Sequence, residues 1–221
     1  MESNRLCHAL PAVLCGVVLA ALLASGIAPF DRPTWLLEVA PVLIAIPVLV
    51  ATRARFPLTD LLYVLIAAHA LVLILGGTYT YARVPLGFWL QDAFAFERNP
   101  YDKIGHFMQG FVPAMVAREI LVRGAYVAGR RMTAFLCVCV ALAISAVYEL
   151  VEWWAALALG QGAADFLGTQ GDIWDTQSDM FFALIGALAA LVVLSGLHDR
   201  QIASRSARAG PDPADRHAAA P

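Results

Sequence analysis

Long apolar runs separated by short polar or basic loops dominate this chain. Several of them approach or exceed the about 18 residues that a helix needs to cross a membrane, and they cover residues 9–28, 35–51, 58–77, 101–122, 132–159 and a final stretch ending near Leu197. We therefore predict an all-α, polytopic membrane protein with about six transmembrane helices. Residues 1–198 form its single domain, and the Ala-, Arg- and Pro-rich residues 199–221 form a disordered cytoplasmic tail.

Two segments of the chain need a separate interpretation. Residues 9–28 are longer than the usual core of a signal peptide, so we favour an uncleaved helix over a cleaved signal. Residues 78–103 are polar overall but place apolar side chains at helical spacing. This pattern predicts a helix that lies in the membrane interface, as an anchor or a lid.

Composition agrees with a membrane location. The chain is 60% hydrophobic and 14% charged, whereas a soluble domain carries about a quarter charged residues. A net charge of -2 gives no reason to expect a nucleic acid, so we expect membrane lipids as the partners. The four cysteines form no CxxC pair and indicate no disulfide framework.

Basic residues indicate the orientation of the helices. With both termini in the cytoplasm, the cytoplasmic segments hold ten Lys and Arg residues and the outer segments hold four, as the positive-inside rule requires. All five tryptophans then fall at outer helix ends, as in an aromatic belt: Trp35, Trp89, Trp153, Trp154 and Trp174.

Acidic and imidazole side chains cluster at the outer ends of the last three predicted helices. Glu149 and Glu152, three residues apart, share one face of the fifth helix. The other members are Asp102 and His106 on the fourth helix, and Asp172, Asp175 and Asp179 at the start of the sixth. Ionisable groups inside a membrane are costly without a partner, so the cluster is a candidate functional site.

Carboxylates that share a half-buried pocket cannot all stay ionised without a cation or shared protons. Oxygen ligands with one imidazole suit Mg²⁺, Mn²⁺ or Zn²⁺. We therefore predict a divalent metal held by Asp102, His106, Glu149, Glu152, Asp172, Asp175 and Asp179. Glu149, Glu152 and His106 are also the candidate catalytic residues.

A structural interpretation stays open for part of this set. Asp102, Asp172 and Asp175 also fit helix caps and first-turn acids, which the helix dipole favours. Glu38 is either an acid near the interface or an outlying member of the site. Arg118 lies far from His106 along the helix, and we expect it to extend to the cytoplasmic interface.

Three functions are compatible with these residues. The first is an intramembrane enzyme in which a metal-held water attacks a lipid-linked substrate. The second is a small transporter or an ion- or proton-coupled permease that uses the same acids. The third is a non-catalytic module in which the polar cluster holds the helices together.

The strings YDKIGHFMQGFVPAMVAREI, YELVEWW and FLGTQGDIWDTQSDMFFALIGA resemble the YjdF-like family of bacterial inner-membrane proteins. The close resemblance covers residues 101–188, which form the characteristic core. It implies an inner-membrane location and adds Gln177 to the site, but it implies no reaction. More distantly, these motifs are similar to VanZ-like membrane proteins, which are associated with glycopeptide resistance.

Reporter fusions test the predicted orientation. Fusions after Arg55 and Arg131 should report the cytoplasm, and fusions within residues 83–99 or 162–170 should report the outer side, because the basic residues flank the former positions. A cytoplasmic signal from residues 162–170 would contradict both the six-span topology and the shared outer site.

Overall fold

The computed structural model describes residues 2–159 and 170–209 and contains only α-helices there. In chain order these are α1 (Glu2–Ser25), α2 (Arg32–Thr52), α3 (Asp60–Tyr79), α4 (Pro85–Phe94), α5 (Tyr101–Arg123), α6 (Arg130–Leu159) and α7 (Asp175–Ala209). The protein is therefore an all-α, multi-helix chain, as predicted. Each apolar run forms a helix, and the amphipathic segment after α3 is helical as well.

Four helices are long and apolar enough to cross a membrane, namely α2, α3, α6 and α7. The apolar part of α1, Ala9–Ser25, is shorter. Helix α5 has sufficient length but carries five charged residues, Asp102, Lys103, Arg118, Glu119 and Arg123. Length and apolar character thus support a polytopic membrane protein, whereas the six-span topology stays a prediction.

Helices α5 and α7 approach each other closely because glycine faces backbone on both sides. A Cβ atom on Gly110 of α5 would collide with the carbonyl oxygen of Ala183, and one on Gly186 of α7 would collide with that of Phe107. Small residues at such crossings let helices in membranes pack backbone to backbone. This contact fixes the relative position of two of the helices that carry the candidate site.

Contacts between helix ends show an up-and-down arrangement. At one end, the backbone N–H of Phe30 donates to the carbonyl of Thr78, and Arg98, just before α5, pairs with Asp172, just before α7. The start of α2 therefore lies beside the end of α3, and the starts of α5 and α7 lie beside each other. The hydroxyl of Tyr101, which donates to the carbonyl of Val72 in α3, connects the two pairs. At the opposite end, Arg123 donates to the carbonyl of Pro57 at 2.8 Å.

This opposite end contains a buried ionic network that corrects our expectation for Arg118. The side chain of Arg118 is buried and does not extend to the interface. It donates to Nδ1 of His198 at 3.1 Å and to the carboxylate of Asp199 at 2.5 Å. The physical reason is that α7 continues to Ala209, beyond the predicted end near Leu197, and so places both partners beside α5.

Glu119 completes the network and anchors α3. Its carboxylate accepts from the backbone N–H of Thr59 at 3.0 Å, from the Thr59 hydroxyl at 2.7 Å and from Arg123 at 2.6 Å. Because Arg118 donates to Nδ1 of His198, that imidazole donates from Nε2 to Glu119, at 2.9 Å. The donors on every side explain how a carboxylate with no exposed surface is tolerated there.

The close approach of α5 and α7 leads to a stability prediction. Gly186→Ala should lower the free energy of unfolding by about 1–3 kcal/mol, because the added methyl group forces two backbones apart. Gly196→Ala on the same helix is the matched control, since a Cβ there meets nothing within 4 Å. Its stability should stay unchanged or rise slightly, because alanine favours helix. Thermal unfolding in detergent measures both, and equal melting temperatures would contradict the proposed packing.

Candidate metal centre

Side chains from α5, α6 and α7 converge at one end of the molecule. On α5, Asp102 and His106 are four residues apart and lie on one face. Asp179 of α7 approaches that face, and Glu149 and Glu152 of α6 approach it from the other side. All five side chains belong to the buried set. The structure thus brings together five of the seven residues that the sequence assigned to a metal.

Asp102, His106 and Asp179 form the tightest group. One ligand atom from each lies within 4.8 Å of the other two. Nε2 of His106 is 3.4 Å from Oδ1 of Asp102 and 3.7 Å from Oδ1 of Asp179. Such a group could bind a metal ion, because two carboxylates and an imidazole are the donors that Zn²⁺ and Mn²⁺ accept.

The tautomer of His106 determines which of its ring nitrogens is available to bind an ion. Its Nδ1 lies 3.1 Å from Oε1 of Gln109, an acceptor, so Nδ1 carries the hydrogen and donates it. In the neutral ring, Nε2 then directs a lone pair toward the carboxylates of Asp102 and Asp179. Lone pairs repel, so this arrangement requires a proton on Nε2 or a cation between the three groups. Metal-binding histidines commonly have their second nitrogen fixed in this way.

The two glutamates of α6 surround the imidazole. Oε1 of Glu149 is 3.9 Å from Nδ1 of His106 and is buried without a hydrogen-bond partner among the described residues. Oδ2 of Asp102 also lacks a hydrogen-bond partner there, and its nearest cation is the ammonium group of Lys103 at 3.5 Å. Buried polar atoms without partners are rare and mark a missing ion, water or ligand.

Two cations flank the acids, and the sequence analysis did not assign them to the site. The ammonium group of Lys103 lies 2.9 Å from Asp175 and 2.5 Å from Asp179. Arg98 bonds Asp172 at 2.6 Å and Asp175 at 2.9 Å. Lys103 follows Asp102 directly and Arg98 precedes it by four residues, and this proximity in sequence was the available signal.

The structure places three of the predicted site residues outside the tight group, namely Asp172, Asp175 and Gln177. Asp172 pairs with Arg98, keeps 30% of its side chain exposed and accepts from the backbone N–H of Trp174, as a turn residue does. Asp175 is buried between Arg98 and Lys103. Gln177 is exposed. Asp172 and Asp175 are outside the tight group, although their assignment as ligands stays a prediction.

A small polar cavity, so called because most of its lining side chains are polar, lies beside His106. Its volume is about 20 Å³, enough for about one water molecule or ion. Carboxyl groups of Glu38, Asp102 and Glu152 line it together with His106 and the phenols of Tyr81 and Tyr148. The cavity joins the acids of α2, α5 and α6 into one site.

Glu38 thus lies beside Asp102, His106 and Glu152 in the lining of this cavity. Its carboxylate accepts from the hydroxyl of Tyr148 at 2.8 Å. Burial, with Glu38 and Asp102 nearby, raises the pKa of Tyr81, which lies outside the helices. Its phenol therefore stays neutral and keeps a proton to donate. The sequence signal for Tyr148 was its position beside Glu149.

Negative charge exceeds fixed positive charge in this region. Among the described residues, seven carboxyl groups face two permanent cations, Arg98 and Lys103, and a charged His106 adds a third. The starts of α5 and α7 favour nearby acids, but Glu149 and Glu152 lie toward the end of α6, where the helix dipole opposes them. Protons or a bound cation must supply the remaining charge.

The fold and the polar centre define an α-helical integral membrane protein with a carboxylate-rich site at one end of its bundle. The chain belongs to the family described as "Predicted membrane protein (DUF2238)", whose model matches residues 10–200. It is 64% identical to "Inner membrane protein YjdF" of Escherichia coli (strain K12) over 181 residues, which are 82% of this chain and 87% of that protein. No solved structure matches the chain. The resemblance to YjdF-like proteins is confirmed, and the protein is a multi-pass protein of the bacterial inner membrane.

The excess of carboxyl groups leads to a second prediction. In a metal chelator, Glu152→Gln should leave the melting temperature unchanged or raise it, because it removes a charge beside Glu149, Asp102 and Glu38. Asp179→Asn should lower it, by roughly 1–3 kcal/mol of unfolding free energy, because it breaks the bond to Lys103. Added Mn²⁺ or Zn²⁺ should stabilise the wild type more than either variant.

Asp172→Asn is the control for this comparison, because Asp172 lies outside the tight group. It should keep the stabilisation by metal. A marked destabilisation by Glu152→Gln in chelator would indicate that the glutamate is a structural ion-pair partner.

Proposed function

We propose that this protein is a metal-dependent membrane enzyme that hydrolyses or transfers a lipid-linked group. The observation that carries the proposal is the convergence of Asp102, His106 and Asp179 within 4.8 Å, with buried carboxylate oxygens of Asp102 and Glu149 that lack hydrogen-bond partners in the described chain. Zn²⁺ or Mn²⁺ suits this mixture of oxygen and imidazole ligands best, and Mg²⁺ is the third candidate.

Each residue has a role in this proposal. Asp102, Nε2 of His106 and Asp179 hold the ion, and Gln109 keeps the imidazole in the correct tautomer. Glu149 is the general base, since its unpartnered oxygen lies within 3.9 Å of the His106 ring. Glu152 lines the cavity where a water molecule fits.

The proposed chemistry is ester hydrolysis. A divalent ion held by Asp102, His106 and Asp179 would supply a water of lowered pKa and a Lewis acid for the ester oxygen of the substrate. Glu149 would accept the proton of the attacking water as the new bond forms at the ester centre. The bond to the alcohol oxygen of the lipid breaks, and the proton returns to that oxygen. With an acceptor alcohol in place of water, the same steps transfer the group.

The orientation of the site in the membrane is part of the proposal. The ten-to-four distribution of Lys and Arg supports six spans with both termini in the cytoplasm. The candidate metal centre then faces the outer side of the inner membrane. A lipid-linked substrate would reach it from the outer leaflet.

A proton-coupled permease is the second candidate function. The observation that favours it is the chain of titratable groups around the cavity, in which Tyr148 donates to Glu38 and faces the ring of His106 at 6.4 Å. Such chains relay protons in membrane transporters. A purely structural cluster is the third candidate, and the ion pairs of Lys103 support it.

Turnover of membrane lipids tests the proposed enzyme. The purified chain, incubated with bacterial lipid extract and Mn²⁺ or Zn²⁺, should release a water-soluble product that mass spectrometry detects. Glu149→Gln should lower the rate by at least about a hundredfold, since a positioned general base contributes about 10²–10⁴. It should keep the protein folded, because glutamine preserves the size of the side chain.

Asp92→Asn is the control, because that carboxylate of α4 is exposed and lines neither of the cavities near the site. Its rate should equal that of the wild type. Metal-independent turnover would overturn the role of the ion. Proton flux into liposomes without any lipid product would favour the permease, and neither activity together with no metal binding would favour the structural module.

A further inference from the structure

The first half of α5 separates two cavities of opposite character. Asp102, Gly105, His106 and Gln109 line the small polar cavity described above. Positions 100, 103, 104 and 107 line a second, larger pocket. With 3.6 residues per turn, these two sets lie on opposite faces of the helix.

The second pocket is mainly apolar and has a volume of about 520 Å³, within the range of about 300–1,000 Å³ for small-molecule sites. It lies between α4, the segment before α5, α5 itself and α7. Its apolar side chains are Leu90, Phe96, Ile104, Phe107 and Phe182. An apolar pocket of this size suits a hydrocarbon chain.

Three charged side chains also line the pocket. Arg98 and Lys103 line it together with the carboxylate of Glu97. Lys103 lies 2.5 Å from Asp179, and Asp179 lies 3.7 Å from His106. A group bound beside Lys103 is therefore adjacent to the candidate metal centre.

We propose that this pocket binds a membrane lipid with a phosphate headgroup, its hydrocarbon chain against Phe107 and Phe182 and its phosphate against Lys103 and Arg98. This assignment rests on the proposed function, since it names the substrate class of the same site. The phosphate is the group that would meet the metal-held water.

With a divalent ion bound at the acids, Arg98 and Lys103 favour a phosphate over a neutral headgroup. Guanidinium and ammonium groups are the phosphate-binding side chains of proteins, and such charge-assisted bonds are about twice as strong as neutral ones. Both cations already bond Asp172, Asp175 and Asp179, so the phosphate joins an existing network. A bound divalent ion would offset the repulsion between these carboxylates and the phosphate, so metal should tighten binding of the lipid.

Three probes separate the parts of the ligand, namely dodecyl phosphate, dodecanol and inorganic phosphate. Binding to the purified full chain in neutral detergent is measured by native mass spectrometry and by the shift in melting temperature, with and without Mn²⁺. We expect dodecyl phosphate to bind at least about tenfold more tightly than dodecanol, the factor that one charge-assisted bond supplies. Inorganic phosphate should bind weakest.

Substitutions on α7 test the chain-binding part. Phe182→Trp should weaken dodecyl phosphate at least about tenfold, because the indole fills the pocket. Phe181→Trp is the matched control, because the side chain of Phe181 is 57% exposed and does not line the pocket. The affinity of this variant should equal that of the wild type. Lys103→Gln and Arg98→Gln should each weaken dodecyl phosphate but not dodecanol, and either variant suffices if the other fails to fold.

Equal affinities for dodecyl phosphate and dodecanol would overturn the headgroup assignment, and equal effects of Phe181→Trp and Phe182→Trp would overturn the pocket. Metal binding is measured separately, on the wild type and on Asp102→Asn, because Asp102 lines the polar cavity. If the wild type and Asp102→Asn bind no metal but still bind dodecyl phosphate, the proposed enzyme fails and the lipid site stands. If metal binds to the wild type and none of the three probes does, the lipid site fails and the proposed metal centre stands.

Discussion

The architecture depends on how buried carboxylates are neutralised inside an apolar bundle. Both ends of the bundle contain buried carboxylates, but the negative charge is balanced differently at the two ends. Glu119 has no exposed surface, yet Arg123, His198 and Thr59 all donate to it. At the other end the acids outnumber the fixed cations, and carboxylate oxygens of Asp102 and Glu149 lack hydrogen-bond partners in the part of the chain that the structure describes. A fully satisfied network stabilises the bundle, whereas buried polar groups without partners are costly.

Helix α5 connects these two situations. Its first half carries Asp102 and His106 toward a polar cavity and Ile104 and Phe107 toward an apolar pocket. Its second half carries Arg118 and Glu119 into the closed network. The helix therefore looks less apolar than its neighbours, although its charged side chains are paired or enclosed. Helix α5 is accordingly not among the four helices that are long and apolar enough to cross a membrane.

The sequence predicted the helices well because hydropathy and helix-breaking residues act locally. It also predicted the face shared by Glu149 and Glu152, since helical spacing determines it. It did not predict that Lys103 would bond Asp179 of α7 or that Tyr148 would bond Glu38 of α2. Those contacts depend on which faces of distant helices meet, and no local pattern encodes that. Arg118 illustrates the same limit, because its partners His198 and Asp199 lie beyond the helix end that we predicted near Leu197.

The glycine contacts between α5 and α7 have a further consequence, for how the site can diversify. Gly110 and Gly186 bring the two backbones together within two turns of His106 and Asp179, so the spacing of the tight group is set by main chain rather than by bulky side chains. Changes of side chain on α4 can therefore reshape the approach to the acids while leaving that spacing intact. New ligand preferences can then arise by single substitutions without loss of the backbone contact that holds Asp179 beside His106.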